Sequence, residues 1–183
     1  MTNRPRCSSP QFRAVNPTGT TSIVITDTSI LINLSHTGHL ALLGEVVGLR
    51  FVVPDEVVAE VTETEQLRIL EAAIADGSLT RESIASPDEL ALFAELSQIL
   101  GSGESACLAL ASSRGWIVAC DEKRVFIREA RSRLGDGRIL NTPGLYVLWI
   151  RAGMLSVEEA DAAKAILDAN RFKMSFSSFR DVI

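Results

Sequence analysis

Four acidic residues occupy positions from which several carboxylates could bind one metal centre. They are far apart along the chain, but each lies at a predicted strand end or near a helix start. The four are Asp27, Glu60, Glu104 and Asp121. In a parallel sheet the carboxyl ends of the strands meet at one edge, and functional groups gather there. The sequence therefore predicts a carboxylate site at that edge.

The segments around the acids support this placement unequally. Asp27 ends IVITD and Asp121 ends WIVACD, and both runs are typical of buried parallel strands. Glu104 lies in the first turn of a predicted helix, where the positive end of the helix dipole favours a carboxylate. Each of these three positions also fits a simple helix-capping role. Their joint occurrence at matching junctions favours the ligand interpretation.

The second acid has competitors within the same acid-rich stretch. Glu60 lies one helical turn after Glu56, so the two share a helix face and either could point inward. Glu63 is a third candidate. The residues by themselves leave these alternatives open.

Carboxylates gathered in one crevice repel each other and raise each other's pKa unless a cation is present. An all-oxygen ligand set without matching His or Cys suits Mg²⁺ or Mn²⁺ better than zinc. Mg²⁺ held by carboxylates keeps water ligands and binds phosphate oxygens, which indicates phosphodiester hydrolysis. We expect one or two such ions, and the sequence does not fix the number.

A basic segment directly follows Asp121. Residues 123–138 contain six basic and two acidic side chains, a net charge of +4 in a chain whose total is −5. Such a segment can attract a polyanion, although an Arg-rich helix is often only a solvated surface. The predicted RNA contacts are Lys123, Arg124, Arg128 and Arg131.

The chain of 183 residues is long enough for one domain with a hydrophobic core. Residues 1–21 are rich in Pro, Ser, Thr and Arg and predict a flexible leader, so the domain should span 22–183. The three cysteines form no CxxC pair, which indicates a reducing, cytoplasmic environment. No apolar run approaches the ~20 residues of a membrane span. We expect a soluble protein without a membrane partner.

The predicted elements alternate between strands and helices. Their order favours a three-layer α/β/α sandwich with a central parallel sheet of four to five strands. We expect a helix from Asp27 that continues to Gly44, and N-caps at Asp55 and Ser102. Thr142 should either cap a further helix or form a hydrogen bond near the metal.

Four segments in this order resemble the PIN-domain ribonucleases, and within them the VapC-like toxins of toxin–antitoxin pairs. The segments are TDTSILI, GSGESACLALA, CDEKR and NTPGLYVLW, and the resemblance runs from about Ile23 to Ile183. It implies a PIN-like fold and a Mg²⁺- or Mn²⁺-dependent endoribonuclease, with the four acids as metal ligands and Ser29 and Thr142 beside them. It also implies a homodimer and a small antitoxin partner.

Two other functions are alternatives to this one. A non-catalytic PIN-fold scaffold that only binds a protein partner would share the same elements. A phosphatase with a catalytic Asp is disfavoured, because the segment after Asp27 lacks a second Asp two positions on.

Overall fold

The structure is a computed structural model that describes residues 21–121 and 124–183, and within these residues five short strands form one parallel sheet. The strands are β1 (Ser22–Thr26), β2 (Leu49–Pro54), β3 (Thr80–Glu82), β4 (Ile117–Ala119) and β5 (Ile139–Leu140). The sheet has the order β3-β2-β1-β4-β5, and every pairing is parallel. The predicted parallel sheet of four to five strands is confirmed. The predicted leader, apart from Thr21, lies outside the described residues.

Helices cover the sheet in two layers, as the three-layer prediction requires. α5 packs against β1, β2 and β4 between α4 and α6, and α1 packs with α3, α7 and α8. The helices are α1 (Thr28–Thr37), α2 (Asp55–Glu60), α3 (Thr64–Ala75), α4 (Pro87–Leu96), α5 (Ser102–Arg114), α6 (Arg124–Leu134), α7 (Thr142–Arg151) and α8 (Val157–Ala169). Short 3₁₀ segments lie at Leu40–Glu45, Asp136–Arg138 and Phe179–Asp181.

The central strands are apolar on both faces because helices cover both faces. Val24, Ile25, Phe51 and Val52 are at most 1% exposed. A parallel sheet buried in this way needs a continuous apolar run instead of an alternating pattern. Within the described residues, no helix has both the length and the apolar character needed to cross a membrane.

The first helix is shorter than predicted. It ends at Thr37, because Gly38 adopts the left-handed conformation (φ 72°) and donates its N–H to the carbonyls of Leu34 and Ser35. The chain then forms a separate 3₁₀ segment from Leu40. The continuous helix to Gly44 is therefore wrong.

Two predicted N-caps are also displaced by one residue. Pro54 is the N-cap of α2, and the carboxylate of Asp55 instead accepts a hydrogen bond from Arg81 Nε at 2.9 Å. Gly101, not Ser102, is the N-cap of α5. In both cases the true cap has an extended backbone that the side-chain preferences did not reveal.

A partly buried ion-pair network joins β3, α4 and α5. Arg114 Nε lies 2.6 Å from Glu89 Oε1, and its Nη1 lies 2.8 Å from Glu82 Oε2. The guanidinium also stacks 4.8 Å from the ring centroid of Trp116. The hydrogen bond from Arg114 is the main reason why the pKa of Glu89 falls from 4.5 to about 2. These ion pairs connect the C-terminal end of α5 to β3 and α4.

We expect Glu89→Gln to lower the free energy of unfolding at pH 7 by about 2 kcal/mol, because a buried charge-assisted hydrogen bond is lost. The folded pKa of Glu89 is depressed, so its contribution is complete above pH 4.5 and is lost as the pH falls towards 2. Urea unfolding is measured at several pH values between 7 and 2. The free energy of unfolding of the variant should fall less steeply towards acid pH than that of the wild type. Glu65→Gln, which breaks an exposed pair with Arg68, should change stability far less. Equal losses in the two variants would contradict this prediction.

Candidate metal and nuclease site

Asp27 and Asp121 leave the sheet at the same edge. The last residue of β1, Thr26, pairs with the last residue of β4, Ala119. The backbone N–H of Asp27 then donates to the carbonyl of Ala119 at 3.0 Å. Strand pairing therefore holds the two acidic segments side by side, as the sequence predicts for neighbouring parallel strands.

Ser29 connects these two aspartates. Asp27 is only 3% exposed and caps α1 by accepting the backbone N–H of Ser29 at 3.3 Å. The Ser29 hydroxyl donates to Asp27 Oδ2 at 2.9 Å and accepts the backbone N–H of Asp121 at 3.1 Å. One hydroxyl thus fixes the Asp27 carboxylate relative to the backbone of Asp121.

The carboxylate of Asp121 accepts hydrogen bonds on both oxygens. Its Oδ1 accepts the backbone N–H of Thr142 at 2.9 Å. Its Oδ2 accepts the Thr142 hydroxyl and the Asn33 side-chain amide, the latter at 2.9 Å. Asn141 is the residue that caps α7, through the N–H of Gly144, so the capping role predicted for Thr142 is wrong. The fully buried Thr142 hydroxyl binds the carboxylate instead.

Glu60, the last residue of α2, reaches the first turns of two other helices. Its Oε1 accepts the backbone N–H of Gly103 at 2.7 Å, and its Oε2 accepts the Thr28 hydroxyl at 2.9 Å. Thr28 directly follows Asp27, so Glu60 lies beside the aspartate pair. The approach depends on a glycine, because a Cβ on Gly103 would lie 2.6 Å from Glu60 Oε2.

The other acids have different partners. Glu104 turns back to accept the N–H of Gly101 at 2.9 Å and thereby caps its own helix. Glu63 caps α3 through the N–H groups of Glu65 and Gln66. Glu56 Oε2 is buried without a hydrogen-bond partner among the described residues, beside an open groove of about 410 Å³. Of the three candidates in this stretch, Glu60 is the one bonded to Thr28 and Gly103.

Two buried cysteines lie close to the acids. Cys107 Sγ donates to the carbonyl of Thr26 at 3.5 Å. Burial, followed by the negative charge of Asp27, raises the pKa of the Cys107 thiol well above its ordinary value. It therefore stays protonated and is a poor metal ligand. Cys107 and Cys120 are free thiols, and Cys7 lies outside the described residues.

Every candidate ligand atom is a carboxylate oxygen, and oxygen ligands of this kind bind hard cations. The four carboxylates do not surround a common point in this structure. Within residues 21–121 and 124–183, no three His, Cys, Asp or Glu side chains could hold an ion together. Glu60 and Glu104 are each held by backbone N–H groups at the start of α5.

The predicted basic surface lies on α6, although Lys123 is outside the described residues. Arg128 pairs with Glu129 at 3.0 Å, and Arg131 pairs with Asp136 at 2.9 Å. The Arg128 and Arg131 side chains are 69% and 64% exposed, so the guanidinium groups remain accessible. Arg124, at the first residue of the helix, is exposed and has no ion pair with any described residue.

Sequence reasoning missed three residues that contact the candidate ligands. They are Thr28, Asn33 and Gly103. Asn33 had a detectable signal, because an Asn of low helix propensity interrupts an apolar helical run. Gly103 had a weaker one, as a glycine inside the first turn of a helix. Neither signal identifies the acidic residue that Asn33 or Gly103 contacts.

The protein is of the parallel α/β class, and the segments that carry Asp27 and Asp121 leave neighbouring strands at the same sheet edge. A family model described as a PIN domain matches residues 23–135, more than half of the chain. The protein belongs to the PIN-domain family, whose members are generally nucleases.

Comparison with solved structures finds PAE2754 from Pyrobaculum aerophilum. It is 16% identical, with a TM-score of 0.44, over 79% of this chain and 99% of that one. No curated protein matches the chain.

We expect Gly103→Ala to lower the melting temperature, because the new Cβ displaces the Glu60 carboxylate and also lies 3.0 Å from Val57. Overpacking of this kind costs about 1–3 kcal/mol, more than the helix propensity gained. Gly137→Ala is the matched control, since its Cβ would meet nothing within 4 Å. The loss should be smaller in a Glu60→Ala background. An equal loss in both backgrounds would show that Glu60 does not lie against Gly103.

Proposed function

We propose that the protein is a metal-dependent endoribonuclease. The observation that carries the proposal is the hydrogen-bonded connection of Asp27, Ser29 and Asp121 at the edge where β1 and β4 end. Glu60 lies beside this pair through Thr28, and Glu104 lies next to the residue that binds Glu60. Asp27, Glu60 and Asp121 are connected in this way near one sheet edge, which supports a shared catalytic role, and we infer that Glu104 joins them.

The proposed metal is Mg²⁺ or Mn²⁺, as one or two ions. Asp27 and Asp121 would bind it from the sheet side, and Glu60 and Glu104 from the side of α5. When bound, such an ion lowers the pKa of a water ligand and offsets negative charge on the scissile phosphate. Ser29 and Thr142 would keep the two aspartates oriented. The backbone N–H groups at the start of α5 would hold the two glutamates until they are needed as ligands.

The proposed substrate is RNA, and α6 supplies positive charge next to the acids. Arg124 begins that helix three residues after Asp121, and Arg128 lies one turn further along. A basic surface beside an acidic metal site attracts a polyanion that the net charge of −5 would otherwise repel.

A more specific proposal is that the protein is the toxin of a toxin–antitoxin pair, works as a homodimer and acts in the cytoplasm. Its support is the resemblance of the four sequence segments to VapC-like toxins. Leu90 and Ile99, on and after α4, are 59% and 53% exposed, and we propose that these apolar side chains contact the protein partner.

A second candidate function is that of a binding module without turnover. The observation that favours it is the spacing of the acids, of which no three among the described residues could hold an ion together. Calorimetric titration with Mn²⁺ separates the two candidates. Binding supports the nuclease, and a flat titration of the wild-type protein would overturn it.

We expect Asp27→Asn to reduce cleavage of RNA by more than about 100-fold, because loss of a ligand should exceed the 10–100-fold cost of losing a supporting group. Cleavage is measured with labelled RNA in Mg²⁺ or Mn²⁺, and circular dichroism checks the fold. Glu63→Gln is the matched control, since this acid only caps α3. Equal activity of Asp27→Asn and wild type would remove Asp27 from the catalytic set.

We expect Arg124→Ala to weaken RNA binding and to reduce the slope of log affinity against log salt by about 1, as for one lost phosphate contact. Fluorescence anisotropy in the Asp27→Asn background measures binding without cleavage. Arg68→Ala, an exposed arginine on α3, is the control. An unchanged slope for Arg124→Ala would place the RNA elsewhere.

A further inference from the structure

Asn33 is a buried polar residue on an apolar helix face. Its neighbours on α1, Ile30, Leu31 and Leu34, are at most 2% exposed, and Asn33 itself is 7% exposed. Burying an amide costs free energy unless hydrogen bonds replace those lost to water. An aliphatic residue would form the helix more readily. The presence of an amide here therefore calls for specific partners.

The partners of Asn33 belong to the candidate site. Its Nδ2 donates to Asp121 Oδ2 at 2.9 Å and approaches Thr142 Oγ1 at 3.4 Å. The Thr142 hydroxyl donates to the same Oδ2. Since an ionised carboxylate only accepts hydrogen bonds, the amide must present its N–H₂ group to Asp121. A triangle of amide, hydroxyl and carboxylate oxygen results.

This triangle joins three elements at the sheet edge. Asn33 comes from α1, Asp121 follows β4, and Thr142 begins α7. The backbone N–H of Thr142 holds the other oxygen, Oδ1, at 2.9 Å. With both oxygens bonded, the plane of the Asp121 carboxylate is fixed, and rotation about its terminal bond would break three hydrogen bonds.

We propose that Asn33 is a positioning residue that sets the orientation of the Asp121 carboxylate for metal binding. The inference rests on the proposed metal-dependent function. Asn33 acts through Asp121 and does not itself bind the ion or the substrate. Supporting groups of this kind hold a ligand in its binding geometry, and their loss typically lowers metal affinity 10–100-fold.

The test uses Asn33→Leu, which keeps the side-chain volume close and removes the donor. Mn²⁺ affinity measured by calorimetry should fall about 10- to 100-fold, and kcat should fall while KM for RNA changes little. The melting temperature in chelator should stay equal or rise, because leucine suits a buried helix face. Asn33→Ala serves if the leucine variant does not fold. Ile30→Val is the control, a change in the packing of α1 without any polar group.

The possible results separate the inference from the proposed function. Wild-type Mn²⁺ affinity in Asn33→Leu, whatever its melting temperature, would mean that Asn33 does not position Asp121 for metal binding and would overturn the inference. If the wild-type protein binds no Mn²⁺, the proposed function fails. The hydrogen bonds from Asn33 and Thr142 to Asp121 are then tested without metal. Melting temperatures of Asn33→Ala, Thr142→Ala and the double variant should then be non-additive, because both residues bond the same oxygen. Additive shifts would overturn the triangle itself.

Discussion

Placing several carboxylates at the edge of an apolar sheet is the constraint on which the rest of this structure depends. Asp27 is buried at this edge, and Glu104 and Asp121 are partly buried, so these carboxylates lose water and need donors from the protein. Glu60 is exposed and still accepts two hydrogen bonds. Every one of the four acids accepts at least one N–H or O–H group from the start of a helix or from the helix beside it. The donors are Ser29 for Asp27, Thr28 and Gly103 for Glu60, Gly101 for Glu104, and Asn33 and Thr142 for Asp121.

Helix N-termini supply most of this compensation. α1, α5 and α7 begin at Thr28, Ser102 and Thr142, and the first turn of each donates to one of the acids. Unpaired N–H groups and the positive end of each helix dipole favour ionised carboxylates. The same arrangement that offsets the negative charge would also allow a cation to replace individual hydrogen bonds, because N–H groups at a helix end can return to water.

The position of α5 links the site to the rest of the core. Residues 105–111 of this helix are buried against the sheet, and its last residue, Arg114, binds Glu82 and Glu89 from β3 and α4. Its first turn carries Gly103 and Glu104. The ion pairs at one end of α5 therefore help to fix the backbone N–H that holds Glu60 at the other end. Packing and site geometry depend on each other through this one helix.

The sequence by itself determined the parallel α/β fold and the edge at which the acids lie. Continuous apolar strands such as IVIT and WIVA require helices on both faces, and Asp27 and Asp121 follow these two runs within two residues. Only the tertiary structure decided that Glu60 contacts Gly103 and that Asn33 and Thr142 both bind Asp121. These contacts join residues 43, 88 and 21 positions apart, and a local pattern carries no information on such distant partners. It can place a polar side chain on a face, but the packing of helices across the sheet determines which atom that side chain meets.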